Sequence, residues 1–208
     1  NTYYAADLMI ARRYKGTRPT GATFERTNTP KVMRICPAVK KYERYTYENA
    51  SLSATYAIGK TAAKLNEVGY EAREKVDVYI SPKLVERYIF EGSEEVRTED
   101  YIATDNAFYF PHIRSVVFLP QSEESRDGAG FGNIPLWEVP MVGAHEYAHH
   151  VFHDIMSSAS GQLSAFNHSC FNPVTPEEAL IKKDGLRDVG VSDVINSLNE
   201  GFADLIAF

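Results

Sequence analysis

Residues Gly143–Asp154 read "GAHEYAHHVFHD" and hold four of the chain's six histidines: His145, His149, His150 and His153. With Pro140 tolerated in a first turn, the apolar spacing predicts a helix from Pro140 to about Ser157. On such a helix, His145 and His149 point to one side about one turn apart, so both imidazoles can reach a single ion at ~2.0–2.1 Å. Glu146 follows directly and completes an HExxH pentad, His145-Glu146-Tyr147-Ala148-His149. A carboxylate there lies beside a metal without entering its shell, where it can take a proton from water. The competing reading of the bare pentad is a surface helix with partly exposed histidines.

A catalytic zinc takes three protein ligands and leaves a position open. His153 continues the series, but the helical rise sets its backbone ~12 Å from that of His145, too far for one ion to bridge. The metzincin pattern also fails, because Phe152 stands where a glycine is required and Ile155 where a third histidine is required. His150 falls about 100° round the helix from His149 and reads as packing or surface. The third ligand therefore has to come from elsewhere.

The last segment, "SDVINSLNEGFADLIAF", supplies one. Glu200 and Asp204 share a helical face; Glu200 can complete a His2Glu set, and Asp204 can accept the free ring N–H of a ligand histidine. Gly201 and Ala203 permit close helix approach. Ser192 is a candidate cap, and Val194, Leu198 and Leu205 are the expected buried stripe. With Phe202 and Ile206 they predict a mostly buried helix, in which unpaired carboxylates are costly.

HExxH followed downstream by "NEGFAD" resembles the gluzincin metallopeptidases, the thermolysin-like group in particular. The resemblance implies a zincin-like α+β fold: a small N-terminal mixed or antiparallel sheet, an active-site helix, then a glutamate helix. It implies zinc held by His145, His149 and Glu200, with Glu146 as general base and Asp204 orienting His145. "DNAFYFPHIRSVVFLP" (105–120) resembles the family's Asn-Ala-Phe segment beside the cleft, which makes Asn106 and Ala107 expected substrate contacts. The expected activity is zinc-dependent endopeptidase action on a peptide or protein substrate, through metal-activated water. The Gly-x-Met-Glu-Asn string of the exopeptidase branch does not occur.

The chain departs from the family in three respects. The interval from His149 to Glu200 is long, which suggests an insertion near 158–191, where "TPEEALIKKDG" (175–185) has a helix signature with Thr175 as cap. No tyrosine between Tyr147 and Glu200 matches the family's oxyanion donor, leaving His168 as a substitute for its histidine partner. The C-terminal helical subdomain looks truncated, since the sequence still reads as helix at Phe208. These departures support an alternative, a catalytically weak zinc-binding module of the same fold that serves in peptide binding or as an interaction module. In a structural site closed by four ligands, His168 would be the fourth.

Composition narrows the class further. Apolar residues make up 44% and charged residues 24%, ordinary for a globular chain of 208 residues. The net charge of −6 argues against a nucleic-acid partner, and no apolar run approaches the ~20 residues of a membrane span. Cys36 and Cys170 are compatible with one disulfide or with two thiols; neither sits in a CxxC pair. The start, "NTYYAADLMI", reads as a trimmed N-terminus, and with the resemblance it implies a secreted or periplasmic protein. Oligomeric state stays open.

Upstream, residues 1–50 read as an irregular segment of short strands and loops, and 51–208 as the zincin-like domain. "NASLSATYAIGKTAAKLNEVGY" is a helix with Ala54, Ile58, Ala62 and Leu65 in one stripe, Asn49 or Ser51 as cap and Gly69 at its end. "KVDVYISP" predicts a half-buried strand stopped by Pro82, and "IRSVVFLP" a second strand. "QSEESRDGAGFGNIP" is a glycine-rich loop. Strands early and helices late indicate an α+β architecture.

Overall fold

The computed structural model describes residues 1–32, 47–92, 96–127, 134–159 and 191–207. Its strands are β1 (Thr2–Tyr4), β2 (Asp7–Lys15), β3 (Arg18–Arg26), β4 (Lys31–Val32), β5 (Asp77–Ile80), β6 (Lys83–Glu91), β7 (Val96–Ala103), β8 (Ala107–Phe110) and β9 (Ser115–Phe118). Its helices are α1 (Tyr47–Glu67), the short α2 (Glu123–Asp127), α3 (Pro140–Ala159) and α4 (Val191–Ala207). The fold is α+β, with two mixed sheets and these four helices among the described residues. None of the described helices is long and apolar enough to cross a membrane.

The first sheet has the order β4-β1-β5-β9-β8, and the second β3-β2-β6-β7. Each has a parallel centre, β1–β5–β9 and β2–β6, with antiparallel strands at its edges. The chain crosses between sheets four times; besides the β3–β4 connection it does so at three corners, β1 to β2, β5 to β6 and β7 to β8. Each corner holds a residue with positive φ: Ala5 at 50°, Ser81 at 49° and Asp105 at 55°. Side-chain residues pay a steric penalty there, but the sharp turn lets β1–β2 and β5–β6 run side by side through both sheets.

This layering corrects two sequence expectations. The N-terminal segment is more regular than short strands and loops, since β2 and β3 each run nine residues. Their polar residues fit because the far end of the second sheet stays exposed. The strand at 77–80 is buried on both faces instead of one: Val78 and Ile80 pack towards the helices, and Tyr79 packs against Leu8 and Leu84 of the second sheet. A central parallel strand covered on both sides needs no polar alternation.

Helix α1 begins at Tyr47, so Asn49 and Ser51 lie inside it, both buried, and do not cap it. Its end matches expectation. Gly69 adopts φ +89°, and the Tyr70 N–H donates to the Leu65 carbonyl at 3.0 Å, closing the last turn. α3 lies against α1 and the first sheet, burying Ala148 and Val151. At Gly143 the helices approach so closely that a Cβ would stand 3.0 Å from that of Ala57.

Candidate metal centre

His145 and His149 lie one turn apart on α3, with their Nε2 atoms 3.0 Å apart. Glu200, on α4, places Oε2 at 3.5 Å from Nε2 of His145 and 3.6 Å from Nε2 of His149. Tetrahedral ligands at ~2.0–2.1 Å stand about 3.3 Å from one another, and this triangle has a point roughly 2.0 Å from all three atoms. The donor set fits a small cation that accepts nitrogen and oxygen.

The outer ring nitrogens explain why the inner ones converge. Nδ1 of His145 is 3.1 Å from Oδ1 of Asp204, and Nδ1 of His149 is 2.9 Å from Oδ1 of Asn199. A carboxylate or amide oxygen only accepts, so each Nδ1 carries a proton and donates it. The Nε2 atom of each ring is thereby aimed inwards. Two lone pairs and a carboxylate oxygen within 3.6 Å repel one another unless a proton or a cation lies between them.

Glu146 is only 7% exposed, and its carboxylate comes within 4.8 Å of the ligand nitrogens of both histidines. Burial raises its pKa above the usual carboxylate range; His149, His145 and the Tyr109 backbone N–H oppose that shift, and Glu200 adds to it. A carboxylate held in this way is closer to the acidity a general base needs near neutral pH than a solvated one.

Asn106 and Ala107 sit at the start of β8, the edge strand beside α3. The Leu119 N–H donates to the Asn106 carbonyl at 2.8 Å, which fixes the ladder. Residues 107 and 109 therefore turn their backbone groups away from β9, towards the open edge. The Ala107 N–H is taken by Oδ1 of Asn106 at 2.9 Å, leaving its carbonyl outward. Among the described residues, neither Asn106 nor Ala107 hydrogen-bonds to the histidine cluster.

Helix α4 departs from the expectation of burial. Leu198 is 59% exposed and Leu205 76%, while Ala203 is fully buried and Phe202 packs 5.8 Å from the ring of Phe152. Among the described side chains, Phe202, Ala203 and Ile206 carry its apolar contacts, and Asn199, Glu200 and Asp204 meet the histidines of α3. The Glu200 and Asp204 side chains are 64% and 66% exposed, so their pairing with the histidines is not forced by a dry interior. Val194 falls among side chains outside the described ones, as do Cys36, His168, Cys170 and the 175–185 segment. The helix spans Val191–Ala207, which puts Ser192 in its first turn instead of at a cap.

Sequence reasoning missed Asn199, although it stands directly before Glu200 in "NEGFAD". His150 proves to be core, 2% exposed, and takes no part in the ligand set. The His153 ring lies 6.2 Å from that of Tyr109, away from the ligand pair. Comparison with protein-family models, curated proteins and solved structures returns no match. The functional reading accordingly rests on these residues alone.

Proposed function

We propose that this chain is a zinc-dependent endopeptidase of gluzincin type, with His145, His149 and Glu200 as ligands and Glu146 as general base. The observation that carries the proposal is the convergence of two imidazole Nε2 atoms and one carboxylate oxygen within 3.6 Å, each imidazole tied from behind by an acceptor. Two nitrogens and one oxygen are the donors of open catalytic zinc sites. Zinc bound there supplies a Lewis acid that polarises a carbonyl and acidifies water.

The protein's own groups account for the rest. Glu146 takes a proton from the attacking water as the new C–O bond forms at the peptide carbonyl. It returns that proton to the departing nitrogen as the C–N bond breaks, giving a carboxylic acid and an amine, which exchange a further proton to leave as carboxylate and ammonium. Asp204 and Asn199 hold the two rings. The outward carbonyls of Ala107 and Tyr109 on β8 accept N–H bonds from an extended peptide laid along the edge.

The test is metal content together with cleavage of a quenched-peptide library by wild-type protein and Glu146→Gln. One zinc per chain in both, with turnover in wild type alone, is the expected result. Bound zinc with no cleavage above the variant's background would sink the peptidase and leave a zinc-dependent binding module.

A further inference from the structure

Tyr109 and His150 are buried, and the chemistry above uses neither side chain. The Tyr109 hydroxyl lies 3.1 Å from Nδ1 of His150, and Nε2 of the same ring lies 3.1 Å from the Glu74 carbonyl oxygen. Because that carbonyl only accepts, Nε2 carries the proton. Nδ1 then presents a lone pair, and the Tyr109 O–H donates to it. Both ring nitrogens are engaged, so His150 has nothing left to offer a metal.

The pair joins elements that would otherwise be weakly fastened. β8 is a four-residue edge strand bonded to one neighbour, β9. Its Tyr109 meets α3 at two points one helical turn apart. The backbone N–H faces the Glu146 carboxylate, and the hydroxyl reaches His150. Through Glu74 the same imidazole also fixes the loop between α1 and β5, which Tyr70 ties to Asp154 of α3 at 2.7 Å.

We infer that Tyr109 and His150 are a positioning pair that registers the β8 edge strand on the helix bearing the metal ligands. The inference deepens the peptidase reading and rests on it for its catalytic consequence. The outward carbonyls of Ala107 and Tyr109 hold an extended peptide at a set height along α3. Loosening the strand weakens that grip and leaves His145, Glu146 and His149 in place on their helix. The defect falls on KM more than on kcat.

Tyr109→Phe removes the hydroxyl and keeps the ring. In this variant the amides of Phe108 and Phe110, which pair with β9, should exchange with solvent about tenfold faster, the scale of one lost buried hydrogen bond. Zinc content should be unchanged, and KM for a peptide should rise about tenfold with kcat within about twofold. With Tyr109 intact, His150→Gln keeps one acceptor and one donor and should retain most of the protection, whereas His150→Leu should not. Unchanged exchange at Phe108 and Phe110 in Tyr109→Phe would overturn the pair, whatever the activity. If wild type cleaves nothing, the peptidase reading fails separately and the exchange rates still decide the pair.

Discussion

Asp204 stands 3.1 Å from Nδ1 of His145, on the far side of the ring from the nitrogen that faces His149 and Glu200. Asn199 does the same for His149 at 2.9 Å. Both supports come from α4, so one helix brings the Glu200 carboxylate and both orienting acceptors to the histidine pair.

Asp204→Ala and Asn199→Ala should each weaken zinc binding about 10–100-fold, the usual effect of losing an acceptor behind a ligand histidine. Competition against a chromophoric chelator measures it. Affinities within about twofold of wild type in both variants would show that the rings are held by α3 alone.

On the proposed reading, Glu200→Ala removes a ligand, and Glu146→Gln removes a proton acceptor. The first should lose zinc at concentrations that saturate wild type. The second should keep zinc and lose about 10²–10⁴-fold in kcat. Equal zinc loss in both would place Glu146 in the ligand shell.

His150 gives the fold an acid-sensitive point. Burial lowers its pKa from 6.5 to about 4. As pH falls from 6.5 towards 4, the unfolded chain takes up a proton that the folded chain refuses. Stability is therefore full above 6.5 and declines through this window, by up to about 3 kcal/mol. Urea midpoints between pH 7.5 and 4.5, with chelator present throughout, should fall more steeply for wild type than for His150→Gln. Parallel curves would contradict the assignment.

At Gly143, Val should destabilise the fold by about 1–3 kcal/mol, because its Cβ would press on Ala57. Ala57→Gly in the same chain should recover part of the loss. Additive effects in thermal melts would mean that the two helices do not meet there as described.

How far the sequence disclosed this arrangement depended on whether a signal was local. The histidine helix, the Gly69 stop and the strand at 115–118 follow from periodicity and turn chemistry within a few residues. The pairing of β2 with β6 joins residues 76 positions apart, and no short pattern announces it. The acidic face of α4 was visible, but its exposure was misjudged, because Leu198 and Leu205 look like core on any helical wheel. Asn199 and His150 were legible as residue types only. Their roles depend on which atom faces which partner, and that is settled by packing.

The narrow contact of α4 carries a thermodynamic consequence. Its described apolar contacts run through Ala203, Ile206 and Phe202 against Phe152, and an ion shared across the two helices would add to that adhesion. Zinc at a thousand times its dissociation constant would contribute about 4 kcal/mol to the docked state. Metal starvation would then undock α4 before it disturbed either sheet, exposing the histidine helix to solvent and to proteolysis. Metal supply would in that way set the protein's lifetime.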